Sequence, residues 1–332
     1  MDKPKVSVVI ASYNTGRFIA RAIESVIETQ YPNIDLIIVD DGSVDDSLSI
    51  ISDYASSHQW IKLLRHPNDK NKGISKTRNL GISQASGDYI CFLDADDTYK
   101  KNRFEKAIPL MENDKRINTV CEPYALVKET KDLMSNDFLI KNEIEFPVSN
   151  IFENQSDCIS LFAEILRTGA LPQTNAITVR KDALYKVGMF PTNLKYCLER
   201  PVWLKLSCLG GFVSVGTEAN SRYHLHDQST CATNQSTAAF RWEDTLSYID
   251  TYLWLKKKHF DPKFQAILKK KIISKYLHYT TYARGVKHTL GDILIPPMQM
   301  LESNPELSLS PKFWKASLNM VIGKYNADHT RL

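Results

Sequence analysis

The chain has 332 residues, of which 43% are hydrophobic and 24% charged, and its formal net charge is +4. These values are typical of globular proteins, exclude collagen-like, low-complexity and wholly disordered chains, and give no reason to expect wholesale nucleic-acid binding. The charge is unevenly distributed, because residues 235–332 hold 12 Lys and 3 Arg against 8 acidic residues, or +7, which leaves −3 for the residues before them. The sequence therefore predicts a mildly acidic body followed by a basic C-terminal region.

The first third of the chain alternates short apolar runs with stretches of helical periodicity. Four apolar runs predict buried strands, at residues 6–10, 36–39, 61–64 and 89–93. Helical spacing predicts the elements between them, at residues 18–27, 45–55 and 74–85. Strands separated by helices are typical of βαβ units and of a mostly parallel sheet, in which ligands bind beyond the carboxyl ends of the strands.

The remainder of the chain shows a mixed pattern and then a helical one. Strands are predicted at residues 119–127, 176–180 and 212–215, and helices at 158–166 and 199–209, with no element in the polar stretch that reaches about residue 155. Three further helices are predicted, at residues 238–258, 264–286 and 312–323. In the second of these, an apolar stripe at helical spacing runs through Phe264, Ile267, Leu268, Ile272, Tyr276 and Tyr279.

Neither a secretory signal nor a membrane-spanning segment is predicted. The first apolar run covers only residues 6–11, and nowhere do about 18 apolar residues follow one another. The six cysteines are scattered and include no C-x-x-C pair, which favours reduced thiols over disulfides or a metal site. The sequence thus predicts a cytoplasmic protein.

Two acidic clusters follow predicted strands. Asp94, Asp96 and Asp97 come after the fourth strand, and Asp40 and Asp41 after the second. Like charges this close repel one another unless a cation or hydrogen-bond donors compensate them. Hard divalent ions bind one or two carboxylates together with substrate phosphates. Either cluster alone could be a solvated acidic turn, but two acidic strand ends at one edge of a sheet favour a binding site.

Four segments, in this order and spacing, resemble one known family. They are Val6–Asn14 (VSVVIASYN), Ile38–Asp45 (IVDDGSVD), Gly73–Gly81 (GISKTRNLG) and Gly87–Asp97 (GDYICFLDADD). The chain is similar to the family 2 glycosyltransferases, inverting enzymes of the GT-A fold that use nucleotide sugars. The similarity is continuous over about residues 4–112, is looser to about residue 225, and is absent beyond it.

The resemblance implies the fold class and the division of the chain. It implies an α/β protein with a GT-A-type, Rossmann-like, mixed and mostly parallel sheet flanked by helices, followed by a C-terminal helical region. The expected catalytic domain covers residues 1–234, with a donor half at about 1–112 and an acceptor half at about 113–234. Residues 235–332 form the expected basic helical region.

The resemblance also implies which residues bind the nucleotide. Tyr13 would pack against the base, and Asp41 would accept the imide N–H of the base, which favours uracil. Arg78 would lie by the nucleotide, where a planar guanidinium can donate to phosphate in a bidentate manner, although a surface arginine on a helix is the alternative for that segment alone. Ala11 and Ala95 belong to the same expected nucleotide-sugar-binding set.

Asp94-Ala95-Asp96 matches the D-x-D motif of the family. The resemblance implies that Asp94 touches the ribose and that Asp96 ligates a divalent metal, Mn²⁺ or Mg²⁺, which stabilises the departing diphosphate as a Lewis acid. The family's R-x-H segment places a second expected ligand at His224, since imidazole is a reasonable Mn²⁺ ligand beside carboxylate. His226 competes with it for that role, and a structural histidine is the alternative for both.

The acceptor side departs from the family pattern. Family members often carry an acidic pair that opens a helix containing Trp, and alignment on Trp203 places Leu198 and Glu199 at the two positions. An inverting transfer needs one base to deprotonate the acceptor hydroxyl. Glu199 is the predicted base; the alternative is a carboxylate that pairs with Arg200 or favours the helix dipole.

The predicted function is that of a metal-dependent, inverting glycosyltransferase of the hexosyl or N-acetylhexosaminyl type. It would move a sugar from a nucleotide donor, with a UDP-sugar favoured, to a saccharide or lipid-linked acceptor in surface polysaccharide or glycoconjugate synthesis. One alternative is a non-catalytic nucleotide-sugar-binding module, because of the altered acidic pair. A sugar-phosphate nucleotidyltransferase is less favoured, because Ser12–Gly16 is not a Gly-rich loop of the G-x-G-T-R type. No nucleic-acid partner is predicted.

The lysine-rich C-terminal helices have two interpretations. They pack on the catalytic domain with their lysines solvated, or they attach the enzyme to the inner face of an anionic membrane, near a lipid-linked acceptor. The residues that distinguish these interpretations are the triplets Lys256–Lys258 and Lys269–Lys271. The sequence leaves open whether these helices also form a homo-oligomer contact.

Overall fold

The chain divides into two compact units in the computed structural model. The model describes residues 3–131, 138–147, 157–226, 238–283 and 300. One unit comprises residues 1–195 and 202–229, and the other comprises residues 196–201 and 230–332. The domain boundary expected at residue 234 remains a prediction.

Eleven strands build two sheets among the described residues. They are β1 (Val6–Ser12), β2 (Ile34–Asp40), β3 (Ile61–Arg65), β4 (Tyr89–Asp94), β5 (Thr98–Tyr99), β6 (Thr119–Cys121), β7 (Tyr124–Lys131), β8 (Phe138–Phe146), β9 (Ile177–Arg180), β10 (Phe212–Ser214) and β11 (Ser221–Leu225). The larger sheet has the order β10-β6-β9-β4-β1-β2-β3, and the smaller has the order β5-β11-β7-β8. In the larger sheet only β9 runs antiparallel to its neighbours, so the mixed, mostly parallel sheet is confirmed.

The helices of the first unit follow the periodicity of the sequence. The described α-helices of the chain are α1 (Ile19–Ile27), α2 (Ser47–Ser57), α3 (Ile74–Gln84), α4 (Ala107–Asn113), α5 (Cys158–Thr168), α6 (Lys181–Val187), α7 (Glu199–Cys208), α8 (Ala238–Lys257) and α9 (Pro262–Ala283). In α1 the buried positions are Ile19, Ala22, Ile23 and Val26, which repeat at the spacing of one helix face. The three helices predicted in the first third are therefore confirmed to within about two residues.

Helices cover both faces of the central strand β1. Side chains alternate between the faces of a strand, so Val8 and Ile10 share a cluster with the buried face of α1, while Val9 points the other way. On that second face α3 approaches closely, because a Cβ added to Gly81 would lie 2.5 Å from Cγ1 of Val9. This close approach sets the position of α3 relative to the end of β1.

The sequence prediction joins β6 to β7 and misses β5, β8 and β11. The run predicted at 119–127 is divided, because Pro123 lacks a backbone N–H and separates β6 in the larger sheet from β7 in the smaller. No strand was predicted where β8 lies. In β8 the acids Glu143 and Glu145 alternate with Ile144 and Phe146, which is the two-residue period of a strand, but the alternation is short and lies within a polar stretch.

The second unit contains the helical pair α8 and α9, which confirms two of the predicted C-terminal helices. The apolar stripe of α9 is buried at Phe264, Leu268, Ile272, Tyr276 and Tyr279. Trp242 of α8 packs against two of these rings, with its centroid 6.3 Å from that of Tyr276 and 5.4 Å from that of Tyr279. The helix predicted at 312–323 lies outside the described residues. Among the described helices, none is long and apolar enough to span a membrane.

Candidate active site

The polar clusters meet at the carboxyl-end edge of β2, β1 and β4. Ser12 pairs in register with Asp40, and Ala11 lies between Val39 on one side and Asp94 on the other. Because these three strands are parallel neighbours, the segments that leave them emerge at the same edge. The structure thus brings the expected donor-side residues of β1, β2 and β4 together within the first unit.

The segment after β1 is tied to the segment after β2. The Asn14 N–H donates to Oγ of Ser43 at 2.9 Å, and the Val44 N–H donates to Oδ1 of Asn14 at 2.9 Å. The Gly16 N–H adds a third bond, to Oδ2 of Asp45 at 2.9 Å. Tyr13, which lies beside these three hydrogen bonds, remains 48% exposed. Its ring is therefore at the edge of the sheet and accessible to a planar ligand.

Asp41 anchors the segment that leads into α3. Its buried carboxylate accepts the N–H of Lys72 at 2.7 Å and the N–H of Gly73 at 2.9 Å. Gly73 has φ +87° and ψ 152°, a conformation that is essentially confined to glycine. Each carboxylate oxygen can accept two hydrogen bonds, so the expected contact with a base would share Asp41 with these two backbone donors.

Arg78 lies in α3 and is buried against the D-x-D segment. Its Nη2 donates to Oδ1 of Asp94 at 2.5 Å, and its guanidinium lies 5.2 Å from the ring centroid of Phe190. The charge of Arg78 therefore balances that of Asp94 and fixes the orientation of its carboxylate. Arg78 therefore contributes to this edge of the sheet by orienting the Asp94 carboxylate.

Asp96 faces an imidazole. Nε2 of His226 lies 3.0 Å from Oδ2 of Asp96, and the His226 side chain is 3% exposed while that of Asp96 is 28% exposed. The His226 ring stacks on Phe18 of the segment before α1, with a centroid distance of 4.4 Å. A carboxylate that reaches solvent and a fixed imidazole therefore stand side by side.

The structure places His226, not His224, beside Asp96. Both ring nitrogens of His224 are engaged elsewhere, with Nε2 at 2.9 Å from Oγ1 of Thr98 and Nδ1 at 2.5 Å from Oε1 of Glu129. Burial lowers the pKa of His224, against the hydrogen bond to Glu129. A metal-ligand role for His224 remains a prediction, and the competing His226 is the histidine of this segment that lies beside Asp96.

Three further groups complete this edge of the sheet: Asp97, which the sequence placed only in the acidic cluster, and Glu129 and Arg21, which carried no signal in the sequence. Asp97 is fully buried and accepts the His224 N–H at 2.8 Å. Burial, and then the charges of Asp96 and Asp94, raise the pKa of Asp97 well above its usual range. Arg21 and Glu129 lie behind the same segment, and only the tertiary fold brings them there, since they are 108 positions apart in the sequence.

The residues fit a divalent metal that binds jointly with a diphosphate. Among the described residues, no three His, Cys, Asp or Glu side chains form a complete cage. Asp96 and His226 offer an oxygen and a nitrogen, which suit Mn²⁺, and Mg²⁺ and similar ions commonly take their remaining ligands from substrate phosphates and water. Asp94, Asp96 and Asp97 lie within four residues of one another at this strand end, and a cation would relieve the repulsion between such carboxylates.

Glu199, the predicted base, lies in the second unit, whereas the donor-side residues lie in the first. It is the first residue of α7 and is half-buried, and Leu198 before it is buried. Arg200 forms an ion pair with Asp244 and donates to Oγ of Ser247 at 3.0 Å. The guanidinium that is the alternative partner of Glu199 thus also binds two side chains of α8.

Comparisons with known proteins identify the family to which this sequence is similar. The model of the glycosyl transferase family 2 matches residues 7–186. A glycosyltransferase of Haemophilus influenzae is 37% identical over 111 residues, or 33% of this chain and 44% of that protein. The putative teichuronic acid biosynthesis glycosyltransferase TuaG of Bacillus subtilis is 36% identical over 109 residues, or 33% of this chain and 42% of that protein. The chain thus matches less than half the length of these relatives.

Two solved structures share the fold. S. aureus TarS 1–349 in complex with UDP has a TM-score of 0.62 at 16% identity, over 96% of this chain and 89% of that one. The mannosyltransferase PcManGT from Pyrobaculum calidifontis, in complex with GDP-Man and Mn²⁺, has a TM-score of 0.52 at 13% identity, over 97% and 87% of the two chains. The predicted GT-A fold is therefore confirmed.

Proposed function

The chain belongs to glycosyl transferase family 2, and from that premise we propose that it is a metal-dependent, inverting glycosyltransferase that uses a UDP-sugar. The observation that carries the proposal is the edge of the sheet where exposed Tyr13 and the acidic segment Asp94–Asp97 lie at neighbouring strand ends. An aromatic platform beside carboxylates suited to a cation matches the chemistry of a nucleoside diphosphate, which has a flat base at one end and concentrated negative charge at the other. The UDP bound to TarS supports a uridine donor.

Asp96 and His226 would hold the metal, and the Mn²⁺ in PcManGT supports a metal of this kind. When bound, such an ion supplies Lewis-acid stabilisation of the negative charge that develops on a departing diphosphate. Arg78 holds the Asp94 carboxylate in one orientation, where it can accept from a ribose hydroxyl. Tyr13 presents its ring to the base, and Asp41 fixes the Lys72–Gly73 backbone beside it.

Glu199 is the base of the proposed reaction. Its carboxylate takes the proton of the acceptor hydroxyl while that oxygen bonds to the anomeric carbon from the face opposite the diphosphate. The bond between the anomeric carbon and the diphosphate oxygen breaks, so UDP leaves and the configuration inverts. The acceptor is a saccharide or a lipid-linked saccharide of surface polysaccharide or glycoconjugate synthesis, a class that the similarity to TuaG supports.

A donor panel tests the proposal. Purified protein is incubated with UDP-, GDP- and TDP-linked sugars, and release of the nucleoside diphosphate is measured with Mn²⁺, with Mg²⁺ and with EDTA. We expect UDP release from at least one UDP-sugar, its loss in EDTA and its recovery when Mn²⁺ is restored, since the residues here supply only part of a cation's ligand shell. Mass spectrometry of products with candidate saccharide acceptors then identifies the transfer.

Two other outcomes would contradict the enzymatic proposal. Tight binding of UDP without turnover of any donor, with or without acceptor, indicates the non-catalytic nucleotide-sugar-binding module that Leu198 in place of an acid suggested. Turnover at the same rate with and without EDTA would show that the reaction needs no metal.

We also propose that the second unit contacts an anionic membrane. Lys256, Lys257 and Lys258 are exposed at and just beyond the end of α8, beside the exposed Leu253. The other triplet is less available, since Lys269 lies 5.6 Å from the ring centroid of Tyr252 and burial lowers the pKa of Lys271. The first triplet is therefore the better candidate for lipid headgroups.

Neutralising Lys256–Lys258 to Gln should weaken binding to vesicles that contain phosphatidylglycerol by roughly 100-fold, at about 1 kcal/mol per lysine near the surface. Co-sedimentation with these vesicles and with neutral phosphatidylcholine vesicles measures the effect. Gln at the exposed lysines Lys101, Lys115 and Lys186 of the first unit removes the same charge and serves as the control. Equal binding by the two triple variants would reject the membrane contact.

A further inference from the structure

A buried polar network lies directly behind Asp96. Its centre is Glu129 of β7, whose side chain is 0% exposed. One oxygen of this carboxylate, Oε1, accepts from Nη1 of Arg21 at 2.5 Å and lies 2.5 Å from Nδ1 of His224. The Glu129 carboxylate therefore links helix α1 to strands β7 and β11 of the smaller sheet.

The network reaches each of the three residues that follow Ala95. Arg21 donates through Nη2 to the carbonyl oxygen of Asp96 at 3.0 Å. His224 donates its backbone N–H to Oδ1 of Asp97 at 2.8 Å, and its Nε2 lies 2.9 Å from Oγ1 of Thr98. One buried carboxylate thus constrains this segment through two partners: Arg21 binds the backbone carbonyl of Asp96, and His224 binds the side chains of Asp97 and Thr98.

The same carboxylate also constrains the histidine that faces Asp96. His226 follows His224 by two residues, so fixing the His224 ring fixes the end of β11 from which His226 projects. Burial alone would raise the pKa of Glu129, but the hydrogen bond to His224 and the charge of Arg21 outweigh it and lower that pKa. A buried ionic group is weak evidence for stability, because desolvation offsets the attraction. Because Glu129 lies behind Asp96 and His226, its role is better sought in positioning these two side chains than in stabilising the fold.

We propose that Glu129 is a positioning residue for metal binding, which acts through Arg21 and His224 to hold Asp96 and His226 at their mutual distance of 3.0 Å. The inference rests on the proposed function, in which Asp96 and His226 hold the ion. Groups that orient metal ligands from behind typically change metal affinity by about 10- to 100-fold when they are replaced.

The test measures Mn²⁺ affinity in the presence of saturating UDP, by calorimetry and by the electron paramagnetic resonance signal of free Mn²⁺. Glu129→Gln keeps the size of the side chain and removes its charge, and we expect it to weaken Mn²⁺ binding by roughly 10- to 100-fold. The affinity for UDP alone, without metal, should stay within about twofold of the wild type. This split separates a positioning role from a general loss of the site.

Asp35→Asn is the matched control. Asp35 is also a buried carboxylate, which accepts from Lys62 at 2.8 Å and from the Ser86 N–H at 3.0 Å, but it lies at the amino end of β2, the opposite edge of the sheet. This variant should lose stability and keep the Mn²⁺ affinity of the wild type. Thermal melting of both variants establishes that each is folded under the conditions of the titration.

A second variant keeps the inference open to rejection if Glu129→Gln folds poorly. Arg21→Met removes the link to the Asp96 carbonyl and leaves Glu129 with His224; it should weaken Mn²⁺ binding in the same way. Wild-type Mn²⁺ affinity in folded Glu129→Gln or Arg21→Met, or an equal loss in Asp35→Asn, overturns the positioning role alone. Absence of UDP-linked Mn²⁺ binding in the wild type overturns the metal-dependent function itself, and the inference with it.

Discussion

Replacing Asp96 with alanine will reduce release of UDP from the preferred donor by roughly 1,000-fold, since a metal at a leaving group contributes several kcal/mol and each 1.36 kcal/mol is a factor of ten. The fold should survive, because the Asp96 side chain is partly exposed and its charge raises the pKa of the buried Asp97. Removing that charge relieves a repulsion but also removes the contact with the buried His226, so the melting temperature should change little. UDP release with saturating Mn²⁺ and thermal melting measure the two effects.

Asp46→Ala provides the control for this prediction. Asp46 is an exposed carboxylate at the N-terminus of α2, and its side chain makes no capping hydrogen bond. The Asp46→Ala substitution removes the same charge near the same edge of the sheet and should leave UDP release unchanged. If Asp96→Ala releases UDP at the wild-type rate with every donor, the proposed role of the acidic segment is wrong.

The donor side of this edge could be predicted because its signals are local. Each of the strands β1, β2 and β4 is a short apolar run that ends in polar residues, and parallel strands place such ends at one edge. Asp41, Asp94 and Asp96 therefore met where the pattern predicted. What the pattern could not predict is that Asp41 also accepts two backbone N–H groups and that Arg78 works through Asp94, since both depend on how α3 packs.

The partners of Asp96 depend on contacts between distant parts of the chain. His224 and His226 are two residues apart, and the sequence alone does not say where β11 ends. The strand ends at Leu225, so His224 stays in the sheet against Glu129 while His226 turns towards Asp96. Glu129 itself carried no signal, because a lone Glu in a polar strand is usually solvated and only the tertiary fold brings Arg21 to it.

The acceptor half was the least predictable part for a related reason. Its strands divide between two sheets and vary from three residues in β6 to nine in β8, and Pro123 interrupts a run that reads as continuous. A buried pair, Arg103 with Glu122, lies at that division, and burial raises the pKa of Glu122 to about 7 against the opposing charge of Arg103. Charged residues in this core weaken the hydrophobic periodicity on which strand prediction depends.

Glu199→Gln will separate binding from transfer. The amide cannot accept the proton of an acceptor hydroxyl, and loss of a positioned base typically costs about 10²- to 10⁴-fold in rate. Binding of UDP and Mn²⁺ should remain at the wild-type level, since every group that the proposal assigns to them lies in the first unit. Calorimetry with UDP and Mn²⁺, and the rate of sugar transfer to acceptor, measure the two effects.

The competing explanation of Glu199 makes a different prediction for the same variant. A carboxylate that only favours the N-terminus of α7 contributes about 0.3–1 kcal/mol to stability and nothing to the chemistry, so Glu199→Gln would melt slightly earlier and transfer sugar normally. Glu199→Asp keeps the charge and shortens the reach by one methylene. It should therefore satisfy the helix dipole fully and restore transfer only in part, since a base must lie within hydrogen-bond reach of the proton it takes. Full transfer by both variants would place the base elsewhere.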